Sequence, residues 1–118
     1  LGKERDEIGV VADQIGTPTY AHDLAKVIYG ILTNGIVPGI YHYTNEGVTS
    51  WYDFAKAIHR AADIDDEDCH IRPLHTEDYP TAAQRPHYSV LDKTKIKQVL
   101  GIDIPWWEDS LKNCIKKF

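Results

Sequence analysis

Polar side chains gather where the chain turns from an apolar run into a helical one. In Val10-Val11-Ala12-Asp13-Gln14-Ile15-Gly16-Thr17-Pro18-Thr19, a Gly and a Pro are accompanied by an Asp, a Gln and two Thr. Gly and Pro alone suffice to turn a chain. The additional groups on Gln14, Thr17 and Thr19 are those with which an α/β protein holds a polar ligand at the carboxyl end of a strand. A second stretch, from Tyr79 to Asp92, sets Arg85 beside Pro86 in a loop that leads into a capped helix. The guanidinium is a planar fork suited to phosphate oxygens, and Pro86 stiffens the backbone after it. Pairing with a surface acid is the competing use of the same charge.

Other reactive groups make weaker constellations. Tyr52 and Lys56 match the Tyr-x-x-x-Lys spacing of a proton-donating Tyr with a Lys that lowers its pKa, and i,i+4 residues share a helix face. With seven Tyr in the chain, such a match arises readily by chance, and we read the pair as a decoy. Cys69, His70 and His75 lack a regular metal-ligand spacing. The acidic residues 63–68 begin like a calcium loop, but Asp68 stands where Gly is required and Leu74 where Glu is required. A solvated loop is expected there, with no metal. No Gly-rich phosphate loop is present, so no nucleotide-cofactor fingerprint is visible.

A chain of 118 residues is expected to form one domain with a core of its own. The net charge of −5 argues against a nucleic-acid partner. No apolar run reaches membrane-spanning length and no signal peptide is read, so no membrane partner is expected. Two cysteines, Cys69 and Cys114, make no disulfide framework and suggest a reducing, cytoplasmic setting. The start at Leu1-Gly2-Lys3, without Met, reads as a cut inside something longer.

The elements that must position these groups follow from periodicity. Residues 8–11 predict a short strand. Thr19 is expected to cap a helix with Leu24, Val27, Ile28, Ile31 and Leu32 on one face, stopped by Asn34-Gly35. Residues 39–45 predict a second strand. Ser50 and Asp53 form a capping box for a helix that turns Trp51, Phe54, Ala55, Ile58, Ala61 and Ala62 to one side. Residues 69–73 predict an edge strand, because Pro73 cannot donate to a ladder. Asp92 caps a short helix ended by Gly101, and Pro105 starts a last helix with Trp107, Leu111, Ile115 and Phe118 inward. The order is β-α-β-α-β-loop-α-α, an α/β class with few strands and about four helices.

Four blocks, "VVADQIGTPTYAHDLA", "GIYHYTNEGVTSWYDFAKAI", "YPTAAQRPHYSVLD" and "LGIDIPWWEDSLK", occur in order along almost the whole chain. Together they resemble the carboxyl-terminal part of the dTDP-4-dehydrorhamnose reductases, extended short-chain dehydrogenases with a Rossmann-type fold. The resemblance implies that residues 1–118 are the sugar-nucleotide-binding portion, catalytically incomplete by themselves. It places the NADPH or NADH site and the catalytic Tyr-x-x-x-Lys in an amino-terminal domain before Leu1. It implies that Gln14, Thr17 and Thr19 face the substrate cleft, that Arg85 lies near the pyrophosphate of a dTDP-sugar, and that Ser89 lies close by. The implied partners are that substrate, the amino-terminal domain and a homo-oligomeric copy. The family pattern Arg-Pro-x-Asn-Ser-x-Leu-Asp has Asn where this chain has Tyr88, which removes whatever contact that Asn makes. A non-catalytic regulatory subunit and a related sugar-nucleotide epimerase or dehydratase are the alternative readings.

Overall fold

The computed structural model describes residues 2–118. Strand β1, Glu7–Val11, pairs in parallel with β4, His70–Leu74, in the register Glu7↔His70 to Val11↔Leu74. Both runs are rich in β-branched and apolar residues that suit a half-buried ladder. The pair has no further strand, so Pro73 sits on an edge where its missing N–H costs nothing. A second, minimal pair runs antiparallel between β2, Ile15–Gly16, and β3, Thr49–Ser50.

Between them lies helix α1, Ala21–Asn34, which ends as expected: Gly35 takes φ 77° and its N–H donates to the Ile31 carbonyl at 2.8 Å. Its start differs from expectation. Tyr20, not Thr19, occupies the cap position, and no local side chain accepts there. The Tyr20 N–H instead donates to Asn45 Oδ1 at 2.7 Å, a cap supplied from 25 residues away. Asn45 is 1% exposed, and its amide donates to Asp23, to the Pro105 carbonyl and to Ser110 at 2.8, 3.2 and 3.1 Å. Ser110 Oγ also donates to Asp23. One buried side chain thus joins the start of α1 to the start of the last helix.

Helix α2, Trp51–Ala61, is capped by Ser50, whose Oγ accepts from the Asp53 N–H at 3.0 Å. It packs on the β1–β4 pair and against the last helix, α4, Trp107–Ile115. Ala57, Trp107 and Leu111 form the core between the two helices, flanked by Phe54, Ile58 and Ile115. Helix α3, Thr94–Leu100, ends at Gly101 with φ 63°. Asp92 accepts from the Thr94 N–H at 2.8 Å, one residue ahead of the assigned cap Lys93.

Three expectations are corrected. Residues 39–45 make no strand, since none of the described strands lies beside them to complete a ladder. Helix α4 begins at Trp107, because the Pro105 carbonyl is committed to Asn45 and to the Glu46 N–H at 2.9 Å. Phe118 is exposed, lying past the end of α4. Helix α1 contributes no buried residue, and Leu32 is 79% exposed.

Candidate functional site

The two polar motifs meet at β2. On one side Ile15 and Gly16 pair with Ser50 and Thr49. On the other, the Ile15 N–H donates to the His87 carbonyl at 2.7 Å, and the Ser89 N–H donates to the Ile15 carbonyl at 2.8 Å. These bonds lay the Arg85-containing loop along the strand-to-helix corner. Gly16 permits the approach: a methyl group there would lie 3.0 Å from Ser89 Oγ and 3.8 Å from the Trp51 ring.

Two cavities of about 330 Å³ each open at this junction. Gln14, Trp51 and Arg85 line both. One extends toward Pro86 and Ser89, the other toward Val10, Tyr79 and Thr81. Arg85 is exposed, and among the described residues no carboxylate pairs with it. Its charge is therefore available to a ligand, unlike that of Lys93, which is buried 3.3 Å from Glu46.

Gln14, Arg85 and Ser89 are thus brought together. Ser89 Oγ also lies 3.3 Å from the Ile15 carbonyl, and Gln14 Nε2 reaches Thr76 Oγ1 only at 3.5 Å, so the amide is lightly held. Thr17 and Thr19 lie apart from them. Thr17 Oγ1 donates to the Gly47 carbonyl at 2.6 Å, tying the corner to the loop before β3. Thr19 is exposed and borders a different cavity, of about 250 Å³, walled by Phe54, Trp107, Leu111 and Cys114.

Residue types alone missed three participants. Asp13 accepts from the Thr76 N–H at 3.1 Å and from Thr76 Oγ1 at 2.6 Å, fixing the corner to the single 3₁₀ turn Thr76–Asp78 after β4. The Thr76 hydroxyl and amide hold its carboxyl below the usual range, with His87 adding a smaller pull. Trp51 was expected on the apolar face of α2. It does meet the Phe54 ring edge to face at 6.2 Å, but it also walls both cavities and is 36% exposed. Tyr79, the third, is 57% exposed beside Arg85. The only signal for the two aromatics was their position flanking the polar motifs.

The remaining candidates are engaged elsewhere. Lys56 Nζ lies 3.7 Å from Asp66, and His70 Nδ1 lies 3.1 Å from the same carboxylate. Among the described residues, no group of three or more His, Cys, Asp or Glu side chains is arranged to hold a metal ion. No described helix is long and apolar enough to cross a membrane.

The chain as a whole resembles known proteins. The chain is 47% identical to a dTDP-4-dehydrorhamnose reductase of Aggregatibacter actinomycetemcomitans, over 96% of this chain and 41% of that protein. A crystal structure of the reductase ortholog from Clostridium acetobutylicum superposes with TM-score 0.89 at 40% identity, covering 98% of this chain and 40% of that one. The Bacillus anthracis reductase in complex with NADP gives TM-score 0.88 at 38% identity, covering 99% and 40%. The chain thus spans about two fifths of the length of the curated relatives it matches. The family model described as the RmlD substrate binding domain matches residues 1–118, and the chain belongs to that family.

Proposed function

We propose that this domain binds and orients the sugar nucleotide in a dTDP-4-dehydrorhamnose reductase, which reduces dTDP-4-dehydro-L-rhamnose to dTDP-L-rhamnose for cell-surface polysaccharide. The observation that carries the reading is Arg85, without an ion pair among the described residues, at the junction of two cavities that it shares with Gln14. A diphosphate is a dianionic linker between two ring systems. A bidentate cation midway between two chambers is the matching receptor. Ser89 and Gln14 supply neutral hydrogen-bonding groups beside it.

When bound, NADPH or NADH supplies the hydride for such a reduction. The residues of this chain do not fit that cofactor. Dinucleotide sites use a Gly-rich turn and a free helix amino terminus to meet the pyrophosphate. At the strand-to-helix corner, Asn45 already takes the Tyr20 N–H, and Asp23 puts a negative charge in the first turn of α1. On this reading, an amino-terminal domain like the one the reductase resemblance implies holds the cofactor. The contribution of residues 1–118 is positioning of the sugar nucleotide. Such a protein works in the cytoplasm.

The test is the full-length protein supplied with NADPH and dTDP-4-dehydro-L-rhamnose. Consumption of NADPH with formation of dTDP-L-rhamnose supports the reading. Tight binding of the sugar nucleotide without turnover would instead favour a regulatory subunit.

A further inference from the structure

We propose that Asp13 and Thr76 are positioning residues that turn the carboxamide oxygen of Gln14 into the cleft, where it accepts a hydroxyl of the sugar nucleotide. The inference rests on Arg85 meeting the diphosphate. It gives a role to two residues that line neither chamber themselves.

Charge fixes the direction of the first bond. Both oxygens of Asp13 are engaged by Thr76: one accepts the hydroxyl at 2.6 Å and the other the N–H at 3.1 Å. These bonds hold the carboxyl below its usual range, so it is ionised at neutral pH. An ionised carboxylate only accepts, and the Thr76 hydroxyl must therefore donate to it. With its one proton committed, Thr76 Oγ1 offers only lone pairs to a further neighbour. That neighbour is Gln14, whose Nε2 lies 3.5 Å away. An amide nitrogen satisfies such an acceptor, whereas a carbonyl oxygen in its place would set lone pairs against lone pairs. The nitrogen of Gln14 is thus biased toward Thr76, and the oxygen is left for the two chambers that Gln14 lines.

The support behind this relay is rigid. The Ala12 N–H donates to the Leu74 carbonyl at 2.7 Å, carrying the β1–β4 pairing up to Asp13, and Thr76 opens the 3₁₀ turn just beyond. The long contact from Gln14 to Thr76 biases the amide without locking it. A hydroxyl donating to the amide oxygen polarises the group and strengthens the bond at its nitrogen in turn. The ligand class follows from covalent order. In a sugar nucleotide a sugar ring flanks the diphosphate on each side, and the base lies one ring further away. Gln14 shares both chambers with Arg85, so the donors beside a diphosphate held there are sugar hydroxyls.

The test measures binding of dTDP and of dTDP-L-rhamnose to the full-length protein by titration calorimetry. Thr76→Val keeps the shape and the N–H but loses the hydroxyl. It should weaken dTDP-L-rhamnose by about 3- to 10-fold, the share of one neutral hydrogen bond. Thr76→Ser should restore the affinity. In a Gln14→Ala background, Thr76→Val should cost nothing further, because the relay then has no end. An equal loss for dTDP assigns the hydroxyl to the deoxyribose, and a loss confined to dTDP-L-rhamnose assigns it to the hexose. Asp13→Asn provides a second route. Its amide can donate to Thr76 Oγ1 and free the hydroxyl proton for Gln14, so its loss should also vanish when Gln14 is absent. Circular dichroism checks that each variant is folded. A Thr76→Val loss that persists in full beside Gln14→Ala, or that Thr76→Ser fails to restore, overturns the relay and leaves a structural tie. If Thr76→Val changes neither ligand while Arg85→Ala weakens both, the relay is wrong and the diphosphate reading stands. If Arg85→Ala changes neither ligand, the functional reading falls and the relay with it.

Discussion

Two residues of the corner show how similar polar chemistry is put to different uses. Asp13 is a structural tie and Arg85 a free charge, though both sit in motifs rich in hydrogen-bonding groups. For Asp13, the bonds from Thr76 place the folded pKa below its unfolded value. The stability it contributes is therefore complete above about pH 4 and is lost as pH falls through the depressed folded value. Asp13→Asn should lessen the acid slope of a urea-unfolding midpoint plotted against pH, leaving the share due to Glu46, Asp66 and Asp92, which Lys97, His70 and Thr94 hold low. An unchanged acid limb would mean that Asp13 is not held by Thr76. For Arg85, truncation to Ala should cost roughly 2–5 kcal/mol of substrate binding where the diphosphate contact is desolvated. The cost drops to about 1 kcal/mol or less where the contact stays wet. If the proposed function holds, steady-state kinetics of the full-length protein should show KM rising more than kcat falls, because the diphosphate is remote from the reacting carbonyl. Arg85→Lys, with charge but no fork, should fall between. Unchanged kinetics in a folded Arg85→Ala enzyme would make the residue an ordinary surface cation.

At the scale of elements, the helices meet through loop residues as much as through their apolar faces. Asn45 satisfies the start of α1 and holds Asp23, Pro105 and Ser110 with the same amide. Asn45→Ala would strand several buried polar groups at once and should cost about 2–4 kcal/mol in urea unfolding. Asn45→Asp should cost at least as much, since it sets a second carboxylate beside Asp23. A loss within about 0.5 kcal/mol, the range of an ordinary surface change, would show that the hub is dispensable. The following Gly47 is constrained as tightly. It has φ 95°, and a methyl group there would lie 2.7 Å from the Trp106 ring. Strands β1 and β4 and all four helices were legible because periodicity and nearby stops act within a few residues. The Asn45 cap was not, because its donor and acceptor are 25 residues apart. The apolar run 39–45 has strand composition, but a strand also needs a neighbour, which composition does not specify. In the site, Gln14 and Arg85 were legible from residue type and from their turn. Trp51 was hidden because an aromatic at helical spacing reads as core.

The whole molecule has a two-sided character: a packed half around α2 and α4, and a bare half along α1 and the segment that follows. Ile28, Leu32, Val37 and Ile40 are 48%, 79%, 68% and 79% exposed. Such a stretch of exposed apolar surface favours association. The 118-residue chain should self-associate in light scattering, and Leu32→Lys with Ile40→Lys should reduce it. Strictly monomeric behaviour across a wide concentration range would contradict this. The bare half lies on a chain that spans about two fifths of the length of the relatives it matches. On the proposed function, residues 1–118 hold the sugar nucleotide at the junction of the two polar motifs. Hydrogen–deuterium exchange of the full-length protein, with and without saturating dTDP, tests it most directly. Slower exchange is predicted at residues 13–17 and 85–89, with little change along α1. Protection confined to segments outside this chain, with both motifs exchanging as in the free protein, would contradict it.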